Sequence, residues 1–277
     1  MTIHVVLPVH NRRDMTLGFL DSLDAQDVDD VINVVVVDDG STDGTADALA
    51  SRPVTVLHGD GSLWWAGSIA KAIDYLRPRI DQHDWVYLGN NDTVLAPDHL
   101  TRLRETALTH PNAVVGARAF EIWSDGHRHP VSAGFFIDSA SLEVSNLPGV
   151  DLEVTQVDAL AGRGLLIPAA AIAVLRMHPH VMPQHFADID ATSALRRHGF
   201  VLLVDHRAES DQTERAGSSV EFKPRVTDFL SKRSQLYAPA VIAFWWQQST
   251  PAQRWTLPFR IVGRGLRQAR AGHYDVS

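Results

Sequence analysis

The chain of 277 residues is 45% hydrophobic and 21% charged, carries a formal net charge of -8 and contains no cysteine. This composition is typical of a globular protein and excludes disulfide frameworks and thiolate metal sites. The acidic balance gives no general attraction for nucleic acid, so no nucleic acid is expected as the main partner.

Strands alternate with helices through the first 90 residues. Short apolar runs predict buried strands, and apolar residues at helical intervals predict helices between them. This alternation predicts an α/β fold with a mostly parallel sheet flanked by helices. The predicted strands cover residues 3–8, 34–37, 54–58 and 85–88, and the predicted helices cover residues 11–26, 45–51 and 66–76.

The alternation loosens after residue 90. Residues 120–148 are rich in Gly, Ser, Asp and Pro, and they predict hairpins and loops over a site. A polar stretch over residues 205–222 predicts a long ligand-covering loop. The other predictions are helices over 100–108, 168–176 and 190–198 and extended segments over 113–117, 160–167 and 200–204.

The last part of the chain, from residue 224, combines aromatic residues with a series of arginines and predicts C-terminal helices. Such helices can bind the interface of an anionic membrane, or they can pack on the core or on a second subunit. Both interpretations stay open at this point. No signal peptide and no membrane span is predicted, so we expect a cytoplasmic protein, with association at the inner face of the membrane as the further option.

Acidic and amide side chains follow two of the predicted strands. Asp38 and Asp39 come directly after the second strand, and Asn90, Asn91 and Asp92 follow the fourth. Ligands of open α/β sheets bind beyond the carboxyl ends of the strands, and a carboxylate there suits a divalent cation that carries a phosphate. The pattern indicates a nucleotide-diphosphate site. Neither turn matches a glycine-rich dinucleotide or phosphate loop, which argues against nicotinamide and ATP-hydrolysing enzymes.

Three motifs occur in a fixed order along this half of the chain. They are Val5-Val-Leu-Pro-Val-His-Asn11, Val35-Val-Val-Asp-Asp-Gly-Ser-Thr-Asp-Gly44 and Leu88-Gly-Asn-Asn-Asp-Thr93. Together they resemble the family 2, GT-A-type glycosyltransferases, including rhamnosyltransferase-like bacterial members, over about the first 205 residues. The resemblance implies a GT-A (Rossmann-like) fold and transfer of a sugar from a nucleotide-diphosphate donor.

The resemblance also implies roles for particular residues in donor binding. Pro8 and Asn11 would line the nucleotide pocket, and Asp39 would contact the base beside Asp38. Within Gly59-Asp-Gly-Ser-Leu-Trp-Trp-Ala-Gly67, Asp60 and Trp65 are further donor contacts, although tryptophans more often belong to a core. Arg163, in Gly162-Arg-Gly164, could offset diphosphate charge or form a surface salt bridge.

The family's metal motif, Asp-x-Asp, corresponds here to Asn90-Asn91-Asp92. Asp92 keeps the last carboxylate and is the expected ligand of Mg²⁺ or Mn²⁺, because donor phosphates and waters can complete the shell. Asn90 and Asn91 would add polar contacts to the donor. The alternative is that this triplet is a simple turn at the end of a strand.

A second acidic segment, Phe186-Ala-Asp-Ile-Asp190, resembles the family's Glu-Asp-x-Asp motif, in which an acidic residue is the catalytic base. By that resemblance Asp188 accepts the proton of the acceptor hydroxyl. Asp190 could instead cap the next helix. Ala187 replaces the usual glutamate, and Ala194 stands where an arginine is frequent.

The resemblance predicts an inverting glycosyltransferase of bacterial cell-surface polysaccharide or glycolipid synthesis, with rhamnose as one candidate donor sugar and a glycan or lipid-linked acceptor. Residues 1–115 would form the nucleotide-sugar-binding half, 116–223 the acceptor-binding and catalytic half of the same domain, and 224–277 a helical segment. Two alternatives stay open. A non-catalytic sugar-nucleotide or glycan-binding module would explain Asn90 and Ala187, and a sugar-nucleotidyltransferase should carry glycines that His10-Asn-Arg-Arg13 lacks.

Overall fold

A computed structural model describes residues 1–123, 126–131, 133–147, 152–213 and 226–271. The strands in these ranges are β1 (Thr2–Val9), β2 (Val31–Asp38), β3 (Val54–His58), β4 (Trp85–Leu88), β5 (Thr93–Leu95), β6 (Ala113–Ile122), β7 (Arg128–Val131), β8 (Gly134–Asp138), β9 (Glu143–Asn146), β10 (Val154–Gln156), β11 (Ala159–Leu160), β12 (Leu165–Pro168) and β13 (Val201–Thr213). The helices are α1 (Arg13–Asp24), α2 (Thr45–Leu49), α3 (Trp64–Leu76), α4 (His99–Thr109), α5 (Ala169–Val174), α6 (Ala187–Arg197), α7 (Ala238–Gln248) and α8 (Pro251–Ala271), with a 3-10 helix at Val226–Phe229.

The main sheet has the strand order β10-β13-β6-β12-β4-β1-β2-β3, with β5 beside β13 and β7 beside β6. Strands β1 to β4 run parallel to one another, and β13 runs parallel to β6. Strand β12 is antiparallel to β4 and β6. The parallel pairs bring the carboxyl ends of β1, β2 and β4 to one edge, and the architecture confirms the predicted α/β fold with its mostly parallel sheet flanked by helices.

The central strands are buried on both faces, which explains their uninterrupted apolar sequences. Successive side chains of β1 alternate between two core clusters, because neighbouring residues of a strand point to opposite faces. Val5 and Leu7 pack with Phe19 of α1, whereas Val6 packs with Ile69 of α3. Each such side chain contributes about 1.5–3 kcal/mol when fully buried, so this double-sided packing fixes the sheet between its helices.

The C-terminal helices predicted from residue 224 onward are confirmed. Helix α7 buries Phe244 and Trp245 against a third cluster that contains Ala187 and Ile189 of α6. These side chains of α7 therefore pack on the core, which was one of the options for the C-terminal helices. Among the described helices, none combines the length and the apolar character that crossing a bilayer requires.

The hairpins expected over residues 120–148 are confirmed by the antiparallel pairs β6–β7 and β8–β9. The prediction of a polar loop over residues 205–222 is wrong for residues 205–213, because strand β13 continues to Thr213. Its backbone pairs with β6 on one side and β5 on the other after a bulge between Asp205 and Glu209. Arg128 neutralises Glu209 and Asp211, so pairing and charge compensation outweigh the polar composition. Residues 214–222 of that predicted loop lie outside the described residues.

Candidate active site

The turns after β1 and β2 are joined by side-chain hydrogen bonds. The Asn11 backbone N–H donates to Ser41 Oγ at 2.7 Å, and Asn11 Oδ1 accepts from the Thr42 N–H at 2.9 Å. Asp38 is buried and accepts from the Ser41 N–H at 3.0 Å. Neither Asn11 nor Asp38 is among the residues lining the two cavities described below. These contacts shape the edge of the sheet, and direct donor binding by either residue stays a prediction.

Asp39 is buried at the same edge and organises the loop that leads into α3. Its carboxylate accepts from the Gly61 N–H at 2.8 Å and from the Trp64 N–H at 3.1 Å. His10 Nδ1 donates to the Asp39 carbonyl oxygen at 2.6 Å. Asp60 is exposed outside the cavities, where hydrogen bonds from the Ser62 side chain and backbone lower its pKa. The loop is therefore held from Asp39, and Asp60 shapes only its tip.

A cavity of about 540 Å³ opens where these strands end, and we call it the strand-end cavity. Six of the residues expected to bind donor or metal line it: Pro8, Asp39, Trp65, Asn90, Asn91 and Asp92. Nine other described residues that sequence patterns do not assign also line it, and six of these have charged, aromatic or amide side chains that can bind a ligand: His10, Arg12, Trp64, Gln184, His185 and Arg233.

The three residues of the metal motif have different partners. The Asp92 side chain is nearly buried, and its Oδ2 lies 3.1 Å from Nη1 of the half-exposed Arg12. Asn91 is buried and donates from Nδ2 to Thr16 Oγ1 at 3.0 Å, which ties it to α1. Asn90 Oδ1 accepts from Trp65 Nε1 at 3.2 Å. Only Asp92 therefore offers a carboxylate to the cavity from this triplet.

The residues around Asp92 fit a divalent cation that arrives with a donor. Within the described ranges, no group of three or more His, Asp or Glu side chains is placed to hold a metal ion. Mg²⁺ sites in nucleotide enzymes commonly use one or two protein carboxylates, with phosphate oxygens and waters as the remaining ligands. Asp92 meets the protein share of that requirement, provided that the Arg12 guanidinium moves aside.

A second cavity, of about 480 Å³, lies beside the first, and we call it the hairpin cavity. The two cavities share Trp65, Asn90, Gln184 and His185 in their walls. Asp188 and Arg163 line the hairpin cavity, and Arg163 Nη1 donates to Gln212 Oε1 at 2.8 Å. This arrangement brings the expected base and the expected donor residues to two cavities that share a wall.

Asp188 is held by main-chain donors. Its Oδ2 accepts from the Gly162 N–H at 2.7 Å, and its Oδ1 accepts from the Ile189 N–H at 2.9 Å. A Cβ atom on Gly162 would lie 2.4 Å from the Trp65 ring and 3.0 Å from the Asp188 Cβ. Glycine at position 162 is therefore required for the close approach of Trp65 and Asp188.

An aromatic pair belongs to the lining of the hairpin cavity. The rings of Trp123 and His129 stack with their centroids 3.6 Å apart. Trp123 Nε1 donates to Glu121 Oε2 at 3.1 Å, which fixes the indole although its side chain is exposed. A fixed aromatic face in the lining of this cavity is suited to hold a flat or ring-shaped group at low entropic cost.

Backbone strain is concentrated at the same edge. Arg12, Trp64 and Phe186 adopt left-handed conformations with φ of 62°, 58° and 65°. Each stands at the start of a helix, α1, α3 and α6 respectively. Such conformations cost about 1–3 kcal/mol each and are typical of functional sites. They turn Arg12 and Trp64 into the strand-end cavity and Phe186 into the hairpin cavity.

Asp190 does not cap α6, so that alternative is wrong. Phe186 occupies the cap position, and Asp190 lies buried in the first turn of the helix. Its Oδ2 accepts from His178 Nδ1 at 3.1 Å and from Gln247 Nε2 of α7 at 3.3 Å. The hydrogen bond to Asp190 raises the pKa of His178. Asp190 therefore fixes the position of the helix that carries Asp188.

The sequence matches the family model described as Glycosyl transferase family 2 over residues 4–156. The chain belongs to glycosyl transferase family 2. The matched segment runs from β1 to β10 and includes the strand-end motifs. No curated protein matches the chain.

Two solved structures show the fold of this family 2 chain. The crystal structure of GalNAc-T7 with UDP, GalNAc and Mn²⁺ is similar with a TM-score of 0.63 and 12% identity, over 86% of this chain and 50% of that one. The crystal structure of S. aureus TarS is similar with a TM-score of 0.56 and 15% identity, over 77% of this chain and 37% of that one. The chain thus spans half the length of the first and about a third of the second, and these likenesses establish the GT-A fold.

Sequence patterns do not point to several residues of this candidate site. Arg12 stands in the segment His10–Arg13, which has no glycine, and Trp64 directly precedes the expected donor contact Trp65. Their unusual backbone angles have no visible sequence signal, because neither residue is Gly, Asn or Asp. Gln184, His185 and Arg233 stand outside every recognised motif and join the cavity only through folding.

Proposed function

We propose that this family 2 enzyme is an inverting glycosyltransferase that moves a sugar from a nucleotide-diphosphate donor to an acceptor hydroxyl. The observation that carries the proposal is the pair of adjoining cavities, which share the Trp65–Asn90 wall and have Asp188 on one side and Asp92 on the other. The donor would occupy the strand-end cavity and the acceptor the hairpin cavity. Their shared wall is where the two substrates can meet.

In this proposal Asp188 is the general base. Its carboxylate accepts the proton of the acceptor hydroxyl while that oxygen forms a bond to the anomeric carbon of the donor. The bond from the anomeric carbon to the diphosphate breaks on the opposite face, so the configuration is inverted and a nucleotide diphosphate leaves. The Gly162 and Ile189 N–H groups hold the carboxylate in place through the reaction.

Asp92 would hold Mg²⁺ or Mn²⁺ together with donor phosphates. The bound cation supplies charge neutralisation for the departing diphosphate. Arg12 would pass from Asp92 to a donor phosphate, since guanidinium groups bind phosphate oxygens well and this side chain is half exposed. Arg233 adds a second positive charge to the same cavity. The structure of GalNAc-T7 contained UDP and Mn²⁺, which supports a cation in this fold.

The acceptor side supports a glycan substrate, free or linked to lipid. The exposed Trp123 indole lines the hairpin cavity together with Asp188, and a hydrogen bond to Glu121 fixes it. An aromatic face with a polar surround binds a sugar ring by packing on its C–H groups and hydrogen-bonding its hydroxyls. We place the reaction at the cytoplasmic face of a bacterial membrane, in the synthesis of a cell-surface polysaccharide or glycolipid.

The test combines donor binding with donor turnover. Thermal shifts and nucleotide-diphosphate release are measured with UDP- and dTDP-linked sugars, dTDP-rhamnose included, in Mn²⁺ or in EDTA. We expect one donor to raise the unfolding temperature in Mn²⁺ and to be turned over slowly with water as acceptor. Asp188→Asn should keep the shift and lose about a thousandfold in turnover, because a positioned base contributes 10²–10⁴.

Asp74→Asn is the matched control, because it removes the same charge from an exposed surface ion pair with Arg77. This variant should match the wild type in binding and in turnover. Wild-type turnover by Asp188→Asn would remove Asp188 as the base. Donor binding without any turnover by the wild-type chain would instead identify a sugar-nucleotide-binding module, the alternative that Asn90 and Ala187 favour.

A further inference from the structure

Helix α8 exposes a stripe of large apolar side chains. Trp255, Phe259 and Val262 are spaced by four and three residues, which places them on one face of the helix. They are 86%, 80% and 62% exposed, whereas Leu257 on the opposite face is 2% exposed. Helix α8 therefore packs Leu257 against the third core cluster and leaves a second apolar face exposed. Contiguous exposed apolar surface of this kind marks an interaction site.

The charge of α8 is opposite to that of the whole chain. Its 21 residues contain five arginines and no acidic residue, although the net charge of the chain is -8. Arg254 directly precedes Trp255 in the sequence. Its guanidinium lies 5.3 Å from the centre of the Trp246 ring, and its Nε donates to the Trp246 carbonyl oxygen at 3.0 Å. The half-exposed Trp246 thus adjoins the basic, aromatic surface of α8.

We infer that α8 docks the enzyme on an anionic lipid bilayer, with Trp255 and Phe259 inserted at the boundary between headgroups and acyl chains. An aromatic face on a helix with five arginines and no acidic residue suits that boundary, because the rings enter the apolar layer and the positive charge of the helix attracts anionic headgroups. A second copy of this chain fits less well. A two-fold interface through this face would bring two helices of the same positive charge together.

The docking surface is fixed to the catalytic helix through α7. The rings of Phe244 on α7 and Phe186 at the start of α6 lie 4.9 Å apart, and Gln247 of α7 donates to Asp190 of α6. On α8, the Arg264 guanidinium lies 5.9 Å from the Trp245 ring centre of α7. Bilayer contact at α8 would thus set the orientation of the hairpin cavity. This inference rests on the proposed transfer to a lipid-linked acceptor.

The experiment is vesicle sedimentation of the full chain. The vesicles contain phosphatidylcholine alone or an equal mixture of phosphatidylcholine and phosphatidylglycerol, at low and high salt. We expect binding to the mixed vesicles that weakens with salt, and at least a tenfold loss of binding for the double variant Trp255→Glu/Phe259→Glu. The control Leu108→Glu/Leu152→Glu adds the same charge at other exposed apolar residues and should bind like the wild type.

Two results would overturn the inference. One is that vesicle binding does not depend on the stripe: the wild type does not bind the mixed vesicles, or both double variants lose binding equally. The other is a concentration-dependent dimer in sedimentation velocity that the Trp255→Glu/Phe259→Glu variant loses, which would assign the stripe to a second copy. Donor turnover in solution is measured on every variant. Vesicle binding that fails while turnover persists contradicts only the docking surface, and the reverse result contradicts only the proposed function.

Discussion

At the scale of single residues, the site depends on close contacts that are possible only where the chain has a glycine. Gly162 donates its N–H to Asp188 and leaves room for the Trp65 ring, which in turn donates to Asn90. The Trp65–Asn90 wall between the two cavities therefore packs against a glycine. Nothing in the Gly162-Arg-Gly164 sequence distinguishes this role from an ordinary turn, and the segment predicts a function only for Arg163.

Gly162→Ala should lower donor turnover at least a hundredfold and destabilise the fold by about 1–3 kcal/mol. The new methyl group would lie 2.4 Å from the Trp65 ring and 3.0 Å from the Asp188 Cβ, so one of them must move. Turnover and urea unfolding measure the two effects. Gly18→Ala is the control, because nothing lies within 4 Å of its Cβ position on α1 and alanine favours a helix by about 1 kcal/mol. Equal behaviour of the two variants would contradict the close-contact role of Gly162.

At the scale of elements, helix α6 carries two acidic residues with different tasks. Asp188 faces the hairpin cavity, whereas Asp190 is buried against His178 and α7. The resemblance assigns the base to Asp188, but the sequence pattern by itself does not show which of the two residues faces the cavity. Two positions along a helix differ by about 200° around its axis, and the direction of the core decides between them.

The contact between α6 and its surroundings should depend on pH through His178. Its pKa is raised above the ordinary 6.5 by the hydrogen bond to Asp190. The stabilisation is therefore fully present below about pH 6.5 and is lost as the pH rises through the raised value. We expect the unfolding temperatures of the wild type and His178→Gln to differ most at pH 6 and to converge towards pH 9. A difference that stays constant over that range would mean that the charge of His178 does not stabilise α6.

Strand β13 shows why one element could not be foreseen. Its second half contains Glu209, Ser210, Asp211 and Gln212, a composition typical of loops. It forms a strand because β5 and β6 already offer unpaired backbone groups on its two sides and Arg128 compensates its charges. Pairing partners from elsewhere in the chain therefore outweigh the low strand propensity of these residues.

At the scale of the whole molecule, a buried histidine joins three elements, α4, β4 and β13, that are separate along the chain. The Tyr87 hydroxyl of β4 donates to His99 Nε2 at 3.0 Å, and His99 Nδ1 donates to the Glu209 carbonyl oxygen of β13 at 2.7 Å. Burial lowers the pKa of His99 to about 4. The imidazole is therefore neutral in the folded protein at neutral pH.

Acid should destabilise the whole fold through His99. Between pH 6.5 and 4 the unfolded chain binds a proton that the folded chain does not, so the free energy of unfolding falls by on the order of 3 kcal/mol. Urea unfolding across this range measures the slope, which should be shallower in His99→Gln. His83→Gln removes an exposed histidine as the control. An unchanged slope in His99→Gln would show that other groups cause the acid sensitivity.

The sequence by itself determined the α/β fold, the strand-end motifs and the family to which the chain belongs. These properties depend on apolar periodicity and on motifs whose residues are neighbours along the chain, so they can be read locally. Only the tertiary structure decided which side chains meet. Arg12 reaches Asp92 across 80 positions. Gly162 lies in no strand and reaches Trp65 from the loop between β11 and β12. Such contacts depend on how distant elements and loops come together when their apolar surfaces are buried.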